Sequence, residues 1–187
     1  MATVSPYPTA NLPSALRCQL LSLMRAEWPE GYSGARQFRD EVSPEGESEN
    51  TVHLVIEERG FLVAHAGVVW RNVEHGARSW VTGGLTGVLT FPDFRHLGFG
   101  TQVVEAATRH MKELGADIGL ATCDPELRSF YERAGWTPME GAILAYGDAD
   151  TPRQVDELVI MAFLGRDAQG RRAAFEGQSI FVGKHPW

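Results

Sequence analysis

The stretch from Arg78 to Gly115 constrains the fold more than any other part of the chain. Strand-forming residues run from Arg78 to Thr90 and stop at Pro92. The loop Asp93-Phe94-Arg95-His96-Leu97-Gly98-Phe99-Gly100-Thr101 then opens into a helix that ends near Leu114. Val103, Val104, Ala107, Met111 and Leu114 recur at helical spacing as its apolar face, and Gly115 supplies the stop. A strand, a glycine loop carrying an arginine and a helix N-terminus together make an anion site, because unpaired N–H groups and the positive end of the helix dipole point outward there. The strand holds Gly83, Gly84 and Gly87. Glycine inside a strand marks a bulge or a close backbone approach, so an irregularity is expected near Gly87.

Two common phosphate loops do not match. A dinucleotide fold wants a third glycine where Val103 stands, and a parallel sheet. A P-loop wants Gly-Lys-Ser/Thr, whereas the only Gly-Lys, Gly183-Lys184, is followed by His185. Upstream lies a meander. His53–Glu57 reads as a strand, Glu58-Arg59-Gly60 as a tight turn, and Phe61–Trp70 as the returning strand. Before it, Ser14 is the expected N-cap of a helix reaching about Glu27, with Leu16, Leu20, Leu21 and Met24 on its apolar face and Cys18 as a small buried residue. A short helix fits Ala35–Val42, and Ser43–Asn50 reads as an acidic loop.

Downstream, Asp117–Thr122 completes a strand–helix–strand unit. Asp124-Pro125 caps a helix whose face is Leu127, Phe130, Tyr131 and Ala134, with Gly135 at its end. Ala142–Tyr146 and Glu157–Leu164 read as strands of a hairpin, and Ser179–Val182 as a last strand. The expected architecture is therefore α/β (α+β): a mixed, mostly antiparallel central sheet flanked by helices, in a single domain over residues 1–187.

Composition narrows the function classes. With 187 residues, 43% hydrophobic and 22% charged, the chain is expected to build one full core. No apolar run approaches the roughly 20 residues of a bilayer span, and the first residues lack the pattern of a secretory signal. Two cysteines, Cys18 and Cys123, make no disulfide scaffold, so a cytoplasmic location is expected. A net charge of −7 argues against nucleic acid or anionic lipid and favours a cationic ligand. The six histidines show no metal-ligand spacing, and no metal is expected.

Arg95-His96-Leu97-Gly98-Phe99-Gly100, together with Phe130-Tyr131-Glu132-Arg133-Ala134-Gly135-Trp136 one strand later, resembles the GNAT superfamily of acyl-CoA-dependent N-acyltransferases. The likeness covers about residues 53–140. A narrower likeness, through Ala64-His65-Ala66, Trp80–Thr90 and the C-terminal tryptophan Trp187, is to aminoglycoside 2′-N-acetyltransferases. The resemblance implies acetyl-CoA as cosubstrate, lying between the bulged strand and its parallel neighbour. Backbone groups of Val88, Leu89 and Thr90 would meet the pantetheine arm. Arg95, His96, Leu97, Gly98, Phe99, Gly100 and Thr101 would hold the pyrophosphate, with His96 where many members carry glycine. It also implies direct attack by the amine, without an acyl-enzyme.

That chemistry needs a deprotonated amine, a donor for the oxyanion and a proton for the leaving thiolate. The N–H of Val88 is the candidate oxyanion donor and Tyr131 the candidate acid. Thr86 stands where the aminoglycoside enzymes carry a glutamate, so it joins the acceptor-side residues without being able to act as a base. Glu27, Asp40, Glu41 and the ring and carboxylate of Trp187 are candidates to bind a cationic amine, while His65 reads as a packed histidine. The expected partner is a small-molecule amine, an aminoglycoside foremost, with a homodimer allowed. The alternative is a CoA-binding sensor or interaction module of the same fold without catalysis, motivated by Thr86.

Overall fold

The computed structural model describes residues 2–29 and 51–186, so Asp40, Glu41, Trp187, the helix at 35–42 and the loop at 43–50 lie outside the described residues. Its residues cluster into two compact units. One comprises Met1–Val69 with Thr86–Ala107, the other Trp70–Leu85 with Thr108–Trp187.

In the first unit, β1 (Ser5–Pro8) pairs antiparallel with β2 (Thr51–Glu58), and β2 with β3 (Phe61–His75). Arg59 and Gly60, both at positive φ (53° and 83°), make the two-residue turn between β2 and β3. The β2–β3 register shifts between Ile56 and Glu57, so that Val55 faces His65 and His53 faces Gly67. Helix α1 (Ser14–Glu27) presents Leu16, Leu20 and Met24 to Leu12, Val55, Leu62 and Leu89, forming this unit's core. Each such leucine, fully buried, contributes about 1.5–3 kcal/mol relative to exposure. Two expectations are corrected here. Pro13 occupies the N-cap and Ser14 is the first helical residue, without a side-chain cap bond. Cys18 is exposed, because it lies about 200° around the helix from Leu16 and about 60° beyond Leu21, outside the edge of the apolar stripe.

In the second unit, the first half of β4 (Arg78–Thr90) runs parallel to β5 (Ile118–Cys123), with Thr82 facing Ile118 and Gly84 facing Leu120. The order continues from β5 through β9 (Leu158–Phe163) to the short β6 (Thr137–Pro138), both pairings antiparallel. A separate three-stranded sheet places β7 (Ile143–Gly147) between β8 (Pro152–Val155) and β10 (Ser179–Phe181). Met161, Leu120, Leu144, Ile180 and Phe175 are among the residues of this unit's core. The expected hairpin is thus corrected: β7 turns into β8, whose Pro152 faces Gly147, while β9 joins the larger sheet. The intervening residues form a strand of their own, and the longer apolar run of β9 is buried against β5 and β6.

Helix α2 (Phe99–Glu113) buries Val103, Val104, Ala107 and Met111 as expected, but Leu114 is 60% exposed. The helix ends one residue before it and Gly115 (φ 85°) turns the chain, so Ala116 takes the inner position. Leu127 is likewise exposed, because it belongs to the 3₁₀ turn Pro125–Leu127 that precedes α3 (Arg128–Arg133). Trp136 packs over Gly119 so closely that a Cβ there would stand 2.8 Å from its ring, and its indole N–H donates to Thr108 Oγ1 at 2.9 Å. The observed class is mixed α+β with a mostly antiparallel sheet. Among the described residues no helix is long and apolar enough to cross a membrane.

Candidate active site

The first unit carries the strand irregularity and the glycine loop. Gly87 has φ 54°, a left-handed conformation that strains other residues, and a Cβ there would meet Met24 Cε at 2.6 Å. The strand is therefore kinked at this residue, where the sequence placed its irregularity. Beyond the kink Val88 and Thr90 are half-buried on β4, while the Leu89 side chain points into the α1 core. Thr86 is half-buried before it, its methyl 2.8 Å from where a Gly67 Cβ would stand.

The loop after β4 starts with a 3₁₀ turn, Pro92–Phe94, which ends when the Arg95 N–H donates to Pro92 O at 3.1 Å. Three rings prop it, with Phe94 edge-on to both Phe91 (6.2 Å) and Phe99 (6.0 Å). His96 has φ 62°, the left-handed region that residues with a Cβ seldom adopt, and Gly98 has φ 83°. His96, Leu97 and Gly98 are exposed, and the nearest atom to a Cβ built on Gly98 is Gln102 Nε2 at 4.0 Å. Backbone here is open to an approaching group. The Gln102 N–H donates to Gly98 O at 3.1 Å. The N–H groups of the helix's first residues, Phe99, Gly100 and Thr101, have no carbonyl one turn back within α2 to receive them. Arg95 adds a full positive charge. Its Nη2 donates to Glu27 Oε2 at 2.8 Å and its Nε donates to Thr90 O at 3.2 Å, which ties α1 to the head of the loop. Glu27, expected on the acceptor side, is in the structure the partner of Arg95.

This arrangement fits a diphosphate: bare N–H groups, a guanidinium and a surface without obstructing side chains at Gly98. Among the described residues no three His, Cys, Asp or Glu side chains come together as a metal-holding group.

The second unit carries Tyr131. Asp124 follows β5 and accepts from the Glu126 N–H at 2.9 Å, which starts the turn into α3. Tyr131 lies on α3 and is 5% exposed, with Phe130 edge-on at 4.8 Å. Its phenol is pushed above its ordinary range, first by burial and then by the neighbouring Cys123 and Glu157. The Cys123 thiol is pushed up to about 11 by burial, with Glu157 and Asp124 acting the same way. At neutral pH both groups keep their protons. Cys123 is thus a poor nucleophile, and Tyr131 is a hydrogen donor in an apolar, carboxylate-bordered setting. Glu157, one residue before β9, was not among the residues the sequence singled out, and no motif marks it.

A set of contacts at Gly87 also escaped sequence reasoning. His65, 1% exposed, has its Nδ1 2.7 Å from Gly87 O, and its Nε2 meets His53 Nδ1 at 2.9 Å. His65 is packed, as expected, and is also bonded.

The acetyltransferase (GNAT) family model matches residues 18–136, well over half of the chain. No curated protein matches it significantly. Among solved structures, the chain is similar to the Escherichia coli GNAT family N-acetyltransferase YhbS in complex with CoA, at 16% identity and a TM-score of 0.64, covering 99% of this chain and 91% of that one. It is similar to an aminoglycoside 6′-N-acetyltransferase complexed with coenzyme A, at 15% identity and a TM-score of 0.63, over 87% and 97% of the two chains. It is also similar to Escherichia coli ElaA, at 16% identity and a TM-score of 0.59, over 87% and 99%. At these identities the structures show a shared fold.

Proposed function

Since the chain belongs to the acetyltransferase (GNAT) family, we propose that it transfers the acetyl group of acetyl-CoA to a primary amine of a small, polar, cationic acceptor, with aminoglycosides as the first class to test. The observation that carries this reading is the kinked strand at Gly87 leading into the open Arg95–Thr101 backbone. The net charge of −7 supports a cationic acceptor, and one similar structure is an aminoglycoside acetyltransferase.

In this reading the N–H groups of His96–Thr101 and the Arg95 guanidinium hold the pyrophosphate, and the backbone of Val88–Thr90 pairs with the pantetheine arm as an added strand would. The amine nitrogen attacks the thioester carbonyl directly. Negative charge then develops on the acyl oxygen, where the Val88 N–H donates to it. Collapse of the intermediate breaks the carbon–sulfur bond, and Tyr131 gives a proton to the departing thiolate. The proton that the amine nitrogen loses on becoming an amide is released to water, from which the phenolate is reprotonated. An exposed thiol titrates near about 8.5, well below a buried phenol, which would make that transfer uphill. A thiolate shielded from water as the phenol is would be raised as well, which narrows the gap.

Calorimetric titration with CoA, followed by thiol release from acetyl-CoA over an amine panel that includes aminoglycosides, tests the proposal. Binding with acetylated product supports it. Tight binding with every amine left unmodified favours the non-catalytic module that Thr86, in place of a carboxylate, motivates.

A further inference from the structure

The carbonyl of Gly87 is gripped by a side chain whose own orientation is fixed from behind. His65 Nδ1 lies 2.7 Å from Gly87 O. A carbonyl oxygen only accepts, so Nδ1 carries the ring proton, and in a neutral ring Nε2 is then the acceptor. His53 Nδ1, 2.9 Å from that nitrogen, must donate to it. His53 Nε2 is left as an acceptor, and the Thr9 hydroxyl stands 3.1 Å away, its one hydrogen shared between this nitrogen and Thr51 O at 3.0 Å. Both rings are held neutral. Burial lowers His65 to about 3, with His53 adding to the effect against the Gly87 bond. Burial and the Arg17 guanidinium lower His53 to about 4.

In a trans peptide the carbonyl of one residue and the N–H of the next point in opposite directions across a rigid plane. Holding Gly87 O therefore fixes the direction of the Val88 N–H. This peptide needs such a hold, because glycine at φ 54° has no side chain to limit its own rotation. Met24 Cε and the His65 ring together occupy the space where a Gly87 side chain would stand.

We propose that His65 is a positioning residue for acyl transfer, aiming the Val88 N–H at the acyl oxygen through its grip on the Gly87 carbonyl, with His53 setting its tautomer. The inference rests on the reading of Val88 as the oxyanion donor.

His65→Leu removes the donor and keeps apolar bulk, whereas His65→Asn keeps an N–H close to where Nδ1 stands. Wild type and both variants are compared by amide 1H–15N spectra with and without acetyl-CoA, by CoA calorimetry and by acetyl transfer to kanamycin. In His65→Leu the Val88 amide resonance is expected to move and kcat to fall about 10- to 100-fold, the scale of a misplaced reacting group. CoA affinity should stay within about twofold, and His65→Asn should recover most of the loss. A folded His65→Leu protein with unchanged Val88 resonance and unchanged kcat overturns the proposal. If kanamycin is not acetylated, the response of the Val88 amide to acetyl-CoA decides in the same way. If His65→Leu does not fold, ring 15N shifts of the wild-type protein decide: a proton on His65 Nδ1 is required, and one on Nε2 alone refutes the grip. Absence of CoA binding by the wild-type protein would instead refute the function proposed above.

Discussion

Glu27 and Arg95 meet at 2.8 Å, so the last residue of α1 places a carboxylate on the cation that heads the glycine loop. Both side chains are nearly half exposed, and such pairs contribute about 0.2–1 kcal/mol. A bound diphosphate would share Arg95 with this carboxylate and be repelled by it. Replacing Glu27 with Gln should therefore tighten CoA binding by about two- to fivefold at low salt, with the gain shrinking at high salt. Calorimetry at two ionic strengths checks this, and weaker binding would show that Glu27 holds Arg95 in its working position.

Tyr131→Phe removes the proposed proton donor without changing the ring. Turnover should fall about 10- to 100-fold while CoA affinity stays within about twofold, since general acid catalysis contributes on that scale or more. Because burial pushes the phenol upward, wild-type turnover at saturating acetyl-CoA should show no loss from Tyr131 ionisation up to about pH 10. A basic limb near pH 9 that disappears in Tyr131→Phe would contradict this.

Acid should destabilise the protein through the paired histidines. In the unfolded chain each titrates near 6.5, but folded His53 and His65 are lowered to about 4 and about 3. Between those values the unfolded state binds more protons. Stability is thus complete above pH 6.5 and falls as the pH drops toward 4, by about 1.4 kcal/mol per pH unit for each ring. Urea midpoints from pH 7 to 4.5 measure the slope, and His53→Phe should flatten it.

Gly119→Ala puts a methyl 2.8 Å from the Trp136 ring, which is 2% exposed and has little room to yield. A loss of about 1–3 kcal/mol is expected from this overpacking, read as a lower urea midpoint. An unchanged midpoint would mean that the indole shifts freely.

The meander, the kink, the loop and the α2 face are legible because each rests on local chemistry: alternation, a glycine within a strand, helical spacing. Leu114 and Leu127 misled because both have the apolar spacing of a helix that stops short of them. Cys18 misled through its residue type, although its angle around α1 already pointed outward. The His53–His65 pair could not be seen at all. Counting back from the Arg59–Gly60 turn sets His65 opposite Leu54, which puts the two rings on opposite faces of the sheet. The register shift at Ile56/Glu57 sets His65 opposite Val55 instead and brings them onto one face. Nothing in the residues there announces it. The left-handed backbone of His96 is hidden for a related reason, since a residue with a Cβ does not advertise positive φ.

Binding of CoA to the wild-type protein and to Gly98→Val, measured side by side by calorimetry, decides whether the Arg95–Thr101 backbone holds the diphosphate. Valine is strained at φ 83° and covers the open backbone at this position. The wild-type chain is expected to bind CoA at one site, and a variant that remains folded to bind it at least about tenfold more weakly. Equal affinities, or no binding by the wild-type chain, would contradict that hold.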